Sequence, residues 1–221
     1  MTRAGGVPAG SGTSRAAPAV ASLEEAIFPH LRPAAARRLL LSAHQVFARK
    51  GYPAATTREI AAGAGMSPAA MYIHYRSKQD LLFHLSLLGH EACEEVLRTA
   101  RAAGSSSGER LSGMIAAFAG WHATHHTTAR IVHHELTSLT RDNFDAVAVI
   151  RRRIDGLIAD AVRAGIVDGS FRLADPDGTA LAMTSMCVDV ARWFPAGTLH
   201  SPADVSVLYA DLALRLVGAA S

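Results

Sequence analysis

Residues 56–82 read TTREIAAGAGMSPAAMYIHYRSKQDLL, and three helix starts lie within them. Thr56 with Glu59 three residues later is a capping box, in which hydroxyl and carboxylate each take up an amide that a helix start leaves unpaired. Ile60, Ala61 and Ala64 then share one face of the helix. Gly65, free to take a positive φ, ends it. Ser67-Pro68 joins a good N-cap to a residue suited to the first helical position, so a second short helix opens after a turn of about three or four residues. Ser77-Lys78-Gln79-Asp80 repeats the capping pattern and opens a third. Two short helices across so tight a turn make a helix-turn-helix, whose second helix enters the major groove of DNA.

Charge follows the same division. The 221 residues carry a net +3, but residues 1–90 hold 10 Lys/Arg against 4 Asp/Glu while the remainder holds 12 against 15. Positive charge is concentrated where the reader sits, as a phosphate-contacting surface requires. With 49% apolar residues the chain has material for one small domain and a larger one. Its two cysteines, Cys93 and Cys187, stand far apart in apolar helical contexts, which argues against a disulfide framework or a paired-cysteine metal site and fits a reducing compartment. Neither a signal-peptide core nor an apolar run of roughly 18 residues is found, so a cytoplasmic protein with no membrane association is expected.

The stretch 33–90 resembles the N-terminal domain of the TetR/AcrR family of one-component transcriptional regulators. The resemblance rests on Ile60-Ala61, Ala64 to Ser67, Tyr72 to Tyr75, and Ser77 to Leu81. It implies that Tyr72 and His74 touch phosphates, that Lys78 clamps the DNA backbone, that Thr57 lies at the groove edge, and that Arg58 also binds DNA. Ser67, Pro68, Ala69 and Ala70 then face the bases. Since Pro68-Ala69-Ala70 carries no long hydrogen-bonding side chain, base reading falls to Ser67, to apolar contact with thymine methyls, or to DNA shape.

Working outward, residues 1–30 are rich in Gly, Ala, Ser and Pro without periodicity and read as a disordered arm. A helix from about residue 33 to 50, with Leu39, Ala43, Val46 and Phe47 inward, completes a DNA-binding domain at 31–84. Another runs from Lys78 to about Arg101, with Leu81, Leu85 and Leu88 inward, until GSSSGE at 104–109 breaks it. The region 85–221 is expected to be an all-α ligand-binding and dimerisation domain, with helices near 109–126, 128–138, 141–164, 176–194 and 202–218. Asp175-Pro176 and Ser201-Pro202 start the last two, and Gly165 and Gly218 close helices. Met183, Met186, Cys187, Val190, Trp193 and Phe194 form one stripe, and Val205, Leu208, Leu212 and Leu216 another. Both are apolar enough to be covered, by the domain itself or by a second subunit. The family resemblance implies a homodimer through these two helices.

FAGWHATHHTTARIVHHE at 118–135 is rich in histidine. His122 and His126 are spaced i, i+4, which on a continuous helix suits zinc, with His125 between them; a small metal-dependent enzyme using His122, His125 and His126 is the alternative reading. No carboxylate stands between the pair, and no nucleophile elbow or phosphate loop appears anywhere, so a non-enzymatic protein without cofactor or bound metal is preferred. Met114, Phe118, Trp121, Phe144 and Trp193 with His122 and His125 suit the lining of an apolar pocket with few polar groups. RIVHHELTSLT at 130–140 and residues 190–218 resemble the C-terminal domains of actinobacterial TetR-type regulators that answer to acyl-CoA thioesters of lipid or sterol breakdown. That likeness implies a repressor on a palindromic operator, released by an amphipathic effector. Arg151-Arg152-Arg153 then offers a meeting point for a coenzyme A phosphate, against the plainer alternative of a solvated charge run. A DNA-binding dimer with a filled core and no effector remains the third reading.

Overall fold

The computed structural model describes residues 33–195 and 201–219, so the arm expected at 1–30 lies outside the described residues. Among the described residues all regular structure is helical. α1 (Ala34–Lys50), α2 (Thr57–Gly63), α3 (Pro68–Tyr72) and the first turns of α4 (Lys78–Ala103) make the N-terminal unit. The larger unit adds α5 (Ser107–Thr124), α6 (His126–Glu135), α7 (Arg141–Val167), α8 (Pro176–Trp193) and α9 (Pro202–Leu216), with a 3-10 turn at Leu136–Ser138 after α6.

The caps read from sequence set the boundaries. Thr56 Oγ1 accepts from the Glu59 amide while the Glu59 carboxylate accepts from the Thr56 amide, closing the box. Ser67 accepts from the Ala70 amide and Ser77 from the Asp80 amide. Asp175 and Ser201 cap α8 and α9, each followed by proline at the first helical position. Caps of this kind stabilise a helix by about 1 kcal/mol each. Gly65 holds φ +69° in the turn between α2 and α3, a conformation that a β-carbon disfavours.

Two apolar cores result. Leu39, Leu40, Ala43 and Phe47 of α1 meet Ile60 and Ala61 of α2, Met71 of α3, and Leu81, Leu82 and Leu85 of α4. Cys93 and Leu97, further along α4, belong instead to the second core, with Leu111, Ile115 and Phe118 of α5, Ile158 of α7 and Met183, Cys187 and Val190 of α8. One helix therefore serves both. The units also meet elsewhere: Val132 of α6, Leu139 after it, and Val147 of α7 pack into the N-terminal core.

Three expectations need correction. Gly165 does not close a helix, because α7 continues to Val167; its missing side chain makes room for the ring of Phe171, which folds back where a β-carbon would stand. The expected stripe on α9 is split: Val205, Tyr209 and Ala213 are buried, whereas Leu208 and Leu216 are 42% and 45% exposed. The segment expected at 109–126 ends at Thr124, with His125 (φ −105°, ψ 29°) outside helical geometry.

Gly165→Ala is expected to destabilise the protein by about 1–3 kcal/mol through overpacking against Phe171. Gly156→Ala, on the same helix with open space at its β-position, is expected to stabilise by up to about 1 kcal/mol. Chemical denaturation of the two variants beside the parent checks both signs.

Candidate nucleic-acid interface and inner cavity

The N-terminal unit presents α3 outward. Met71 faces the core and is fully buried, and Tyr75 is buried with its hydroxyl donating to the Ala36 carbonyl (3.3 Å). The rest of α3 is left to solvent: Ser67, Pro68 and Ala69 are exposed, Ala70 is half-buried, and Tyr72 is 51% exposed. Arg58 is exposed on α2, and Thr57 is half-buried with its hydroxyl 3.4 Å from that of Tyr72. His74 is half-buried at the end of the recognition helix. The residues of α2 and α3 expected to meet DNA are thus open or half-open to solvent, and Thr57 and Tyr72 are brought together.

Lys78 departs from expectation. Its ammonium donates to the carbonyls of Tyr52 (2.8 Å) and Pro53 (3.1 Å) and lies 4.5 Å over the Tyr52 ring. Two of its three hydrogens fasten the α1–α2 turn, so the free backbone clamp becomes chiefly an internal tie. Ile73, 80% exposed just after α3, was not anticipated, because an isoleucine in sequence reads as core.

The second unit holds a partly open cavity of about 50 Å³ between α4, α5, α6, α7 and α8. Of the expected lining residues, Phe118, Trp121 and His122 are on its wall. Met114 is fully buried in the core one turn earlier on α5 and does not reach it. His125 packs behind Trp121 with ring centroids 5.1 Å apart. Trp193 lies against Phe194 instead, at 6.1 Å. Phe144 sits in the first turn of α7 and is 40% exposed, away from the cavity, because the inward stripe of that helix starts at Val147.

The wall also holds His90, Thr128, Val132, His133 and Arg151, which periodicity did not bring together. His133 stacks on His122 (5.8 Å, interplanar angle 13°) and meets His90 edge-on (6.1 Å). Burial pushes the imidazoles of His90 and His122 down to about 4, and burial with the neighbouring histidines and Arg151 takes His133 to about 3, so all three are neutral at pH 7. Thr128 reaches beyond the cavity: its hydroxyl is 3.1 Å from Nε2 of His44 on α1.

The zinc-type pair parts at the helix break. His122 points Nδ1 at the Phe118 carbonyl, while His126, in the next helix, points Nδ1 at the Ala123 carbonyl and packs on Phe194. Among the described residues no group of three His, Cys, Asp or Glu side chains is placed to hold a metal ion. The arginine run is divided too. Arg153 chelates Glu94 (2.7 Å at its shortest), which Arg98 also holds, so only Arg151 of the three lies at the cavity.

Residues 39–85 match the family described as bacterial regulatory proteins of the tetR family, and residues 104–217 match the tetracyclin repressor-like C-terminal domain. The chain belongs to the TetR family of transcriptional regulators. A TetR-family regulatory protein of known structure from Rhodococcus RHA1 is 40% identical, with a TM-score of 0.81 over 86% of this chain and 100% of that one. The transcriptional repressor KstR2 of Mycolicibacterium smegmatis is 28% identical over 199 residues, 83% of this chain and 91% of its own. AibR, solved with isovaleryl coenzyme A and operator DNA, shares the fold at 20% identity and a TM-score of 0.73, over 84% of this chain and 100% of that one. As a TetR-family member the chain is a DNA-binding regulator. No helix among the described residues is long and apolar enough to cross a membrane.

The buried histidines make stability depend on pH. His44, His90 and His122 each bind a proton near pH 6.5 when unfolded but, kept from it by burial, refuse it until about pH 4 when folded, so the unfolded state gains protons across that window. Stability is therefore complete above pH 6.5 and lost as pH falls toward 4. A denaturant midpoint measured from pH 7.5 to 4.5 should fall steeply, and His122→Phe should flatten the fall, removing on the order of 3 kcal/mol at most.

Proposed function

We propose that this TetR-family regulator is a homodimeric repressor that leaves a palindromic operator when an amphipathic acyl-CoA-like molecule occupies the inner cavity. The observation that carries the reading is Thr128, which lines the cavity and is hydrogen-bonded to His44 on the first helix of the DNA-reading unit. The cavity, at about 50 Å³, is far below the roughly 300–1,000 Å³ of a small-molecule site. An effector enters only by pushing its walls apart, and α6, which carries Thr128 and Val132, is the wall that also packs on the reader. That gives the ligand different affinities for the DNA-competent and DNA-incompetent states, without which it can shift nothing. The isovaleryl coenzyme A in AibR supports the ligand class, and Arg151 at the cavity supplies a cation for an anionic end.

Dimerisation places two readers on two half-sites. Leu181 of α8 and Val207, Leu208 and Leu216 of α9 are exposed apolar side chains on the helices that the family uses to pair. Leu208→Glu should yield monomers in sedimentation and abolish operator binding.

On the reader, Arg58→Ala and Tyr72→Ala should each weaken binding about tenfold or more on all operators alike, the former also lowering the salt slope. A sequence-selective loss would reassign them to base reading. For the effector, acyl-CoAs of several chain lengths are titrated into a preformed complex with the protein's own promoter fragment. Release by about a hundredfold corresponds to a coupling of about 2.7 kcal/mol. Thr128→Val should keep ligand binding and DNA binding but reduce that coupling. If no acyl-CoA releases DNA or raises the melting temperature, the acyl-CoA assignment fails and the generic regulator stands.

A further inference from the structure

His90 on α4 and His122 on α5 make the same local bond. Each sets Nδ1 against the carbonyl four residues earlier, Ser86 at 2.7 Å and Phe118 at 2.9 Å. A carbonyl oxygen only accepts, so both rings carry hydrogen on Nδ1 and present Nε2 as a bare lone pair. The two residues are 8% and 3% exposed, both line the cavity, and neither Nε2 has a donor among the described residues. His133, packed against both rings, likewise makes no hydrogen bond among the described residues. On the same wall the Trp121 Nε1–H is a buried donor without an acceptor.

We infer that the inner cavity selects an effector whose buried portion carries a hydroxyl group, in preference to the plain hydrocarbon or ketone of the same skeleton. The inference rests on the effector-cavity reading above. A hydrocarbon excludes water from two fixed acceptors and replaces none of the lost bonds, which is the expensive way to bury polar groups. A ketone accepts from Trp121 but offers nothing to the imidazoles. A hydroxyl donates to Nε2 of His90 or His122 and accepts from Trp121 or from His133, whose tautomer no neighbour fixes. Sites that hydrogen-bond a hydroxyl reject the analogue lacking it far more strongly than apolar pockets reject a missing methylene.

Calorimetric titration of the full chain with octanoyl-CoA, 3-oxooctanoyl-CoA and the 3-, 5- and 8-hydroxyoctanoyl-CoAs tests this. At least one hydroxylated isomer should bind ten times more tightly than octanoyl-CoA, and the preference should vanish in His90→Leu or His122→Leu. Equal binding of all five, or a preference that survives both substitutions, overturns the inference and leaves the acyl-CoA reading standing. Failure of all five to bind overturns both. Because a leucine variant can misfold, nitrogen NMR of the histidine-labelled parent reads the tautomers directly. Two buried rings protonated at Nδ1 are expected, and an Nε2–H form at His90 or His122 sinks the inference whatever the variants do.

Discussion

One helix belongs to both cores, and the structure depends on it. α4 runs 26 residues, about 39 Å at 1.5 Å per residue, burying Leu81, Leu82 and Leu85 among the DNA-reading helices and Cys93 and Leu97 in the second unit. With no proline within it, α4 runs unbroken through both cores. Glu94, 6% exposed and held by both Arg98 and Arg153, fixes the middle of α4 to α7. A buried carboxylate stripped of one partner is costly, which makes this tie a specific one.

α6 is the second connection, and it is much shorter. Val132 lines the cavity and also packs in the N-terminal core, and Thr128 four residues earlier meets His44. Gln79, at the start of α4, donates to the carbonyl of Ser138 just beyond α6 (3.3 Å). The cavity wall and the surface on which the reader rests are therefore two sides of a ten-residue helix. The small pocket and the packing of the reader thus share one helix as a common wall.

How much was legible depended on whether the signal was local. Each cap is set by residues within four positions, and Thr56, Ser67, Ser77, Asp175 and Ser201 open helices where the spacing puts them. The inward stripe of α1 was equally readable, as was the exposure of Ser67 to Ala69 and Tyr72. The histidine pair misled because i, i+4 spacing has meaning only on an unbroken helix, and no glycine or proline marks the break at His125. Gly165 misled for the opposite reason, being a glycine kept inside a helix for the sake of Phe171.

The sequence by itself determined the order and kind of elements and the helix-turn-helix, because caps, a positive-φ turn and 3.6-residue periodicity act over a few residues. Only the tertiary structure decided which side chains meet across helices. It brought His90, His122 and His133 from three helices to one wall, left Phe144 and Trp193 off it, gave Arg153 to Glu94, and gave Lys78 to the carbonyls of Tyr52 and Pro53. Such pairings depend on the angles and distances at which helices pack, set by the summed shape of many buried side chains, and no short stretch of sequence encodes that sum.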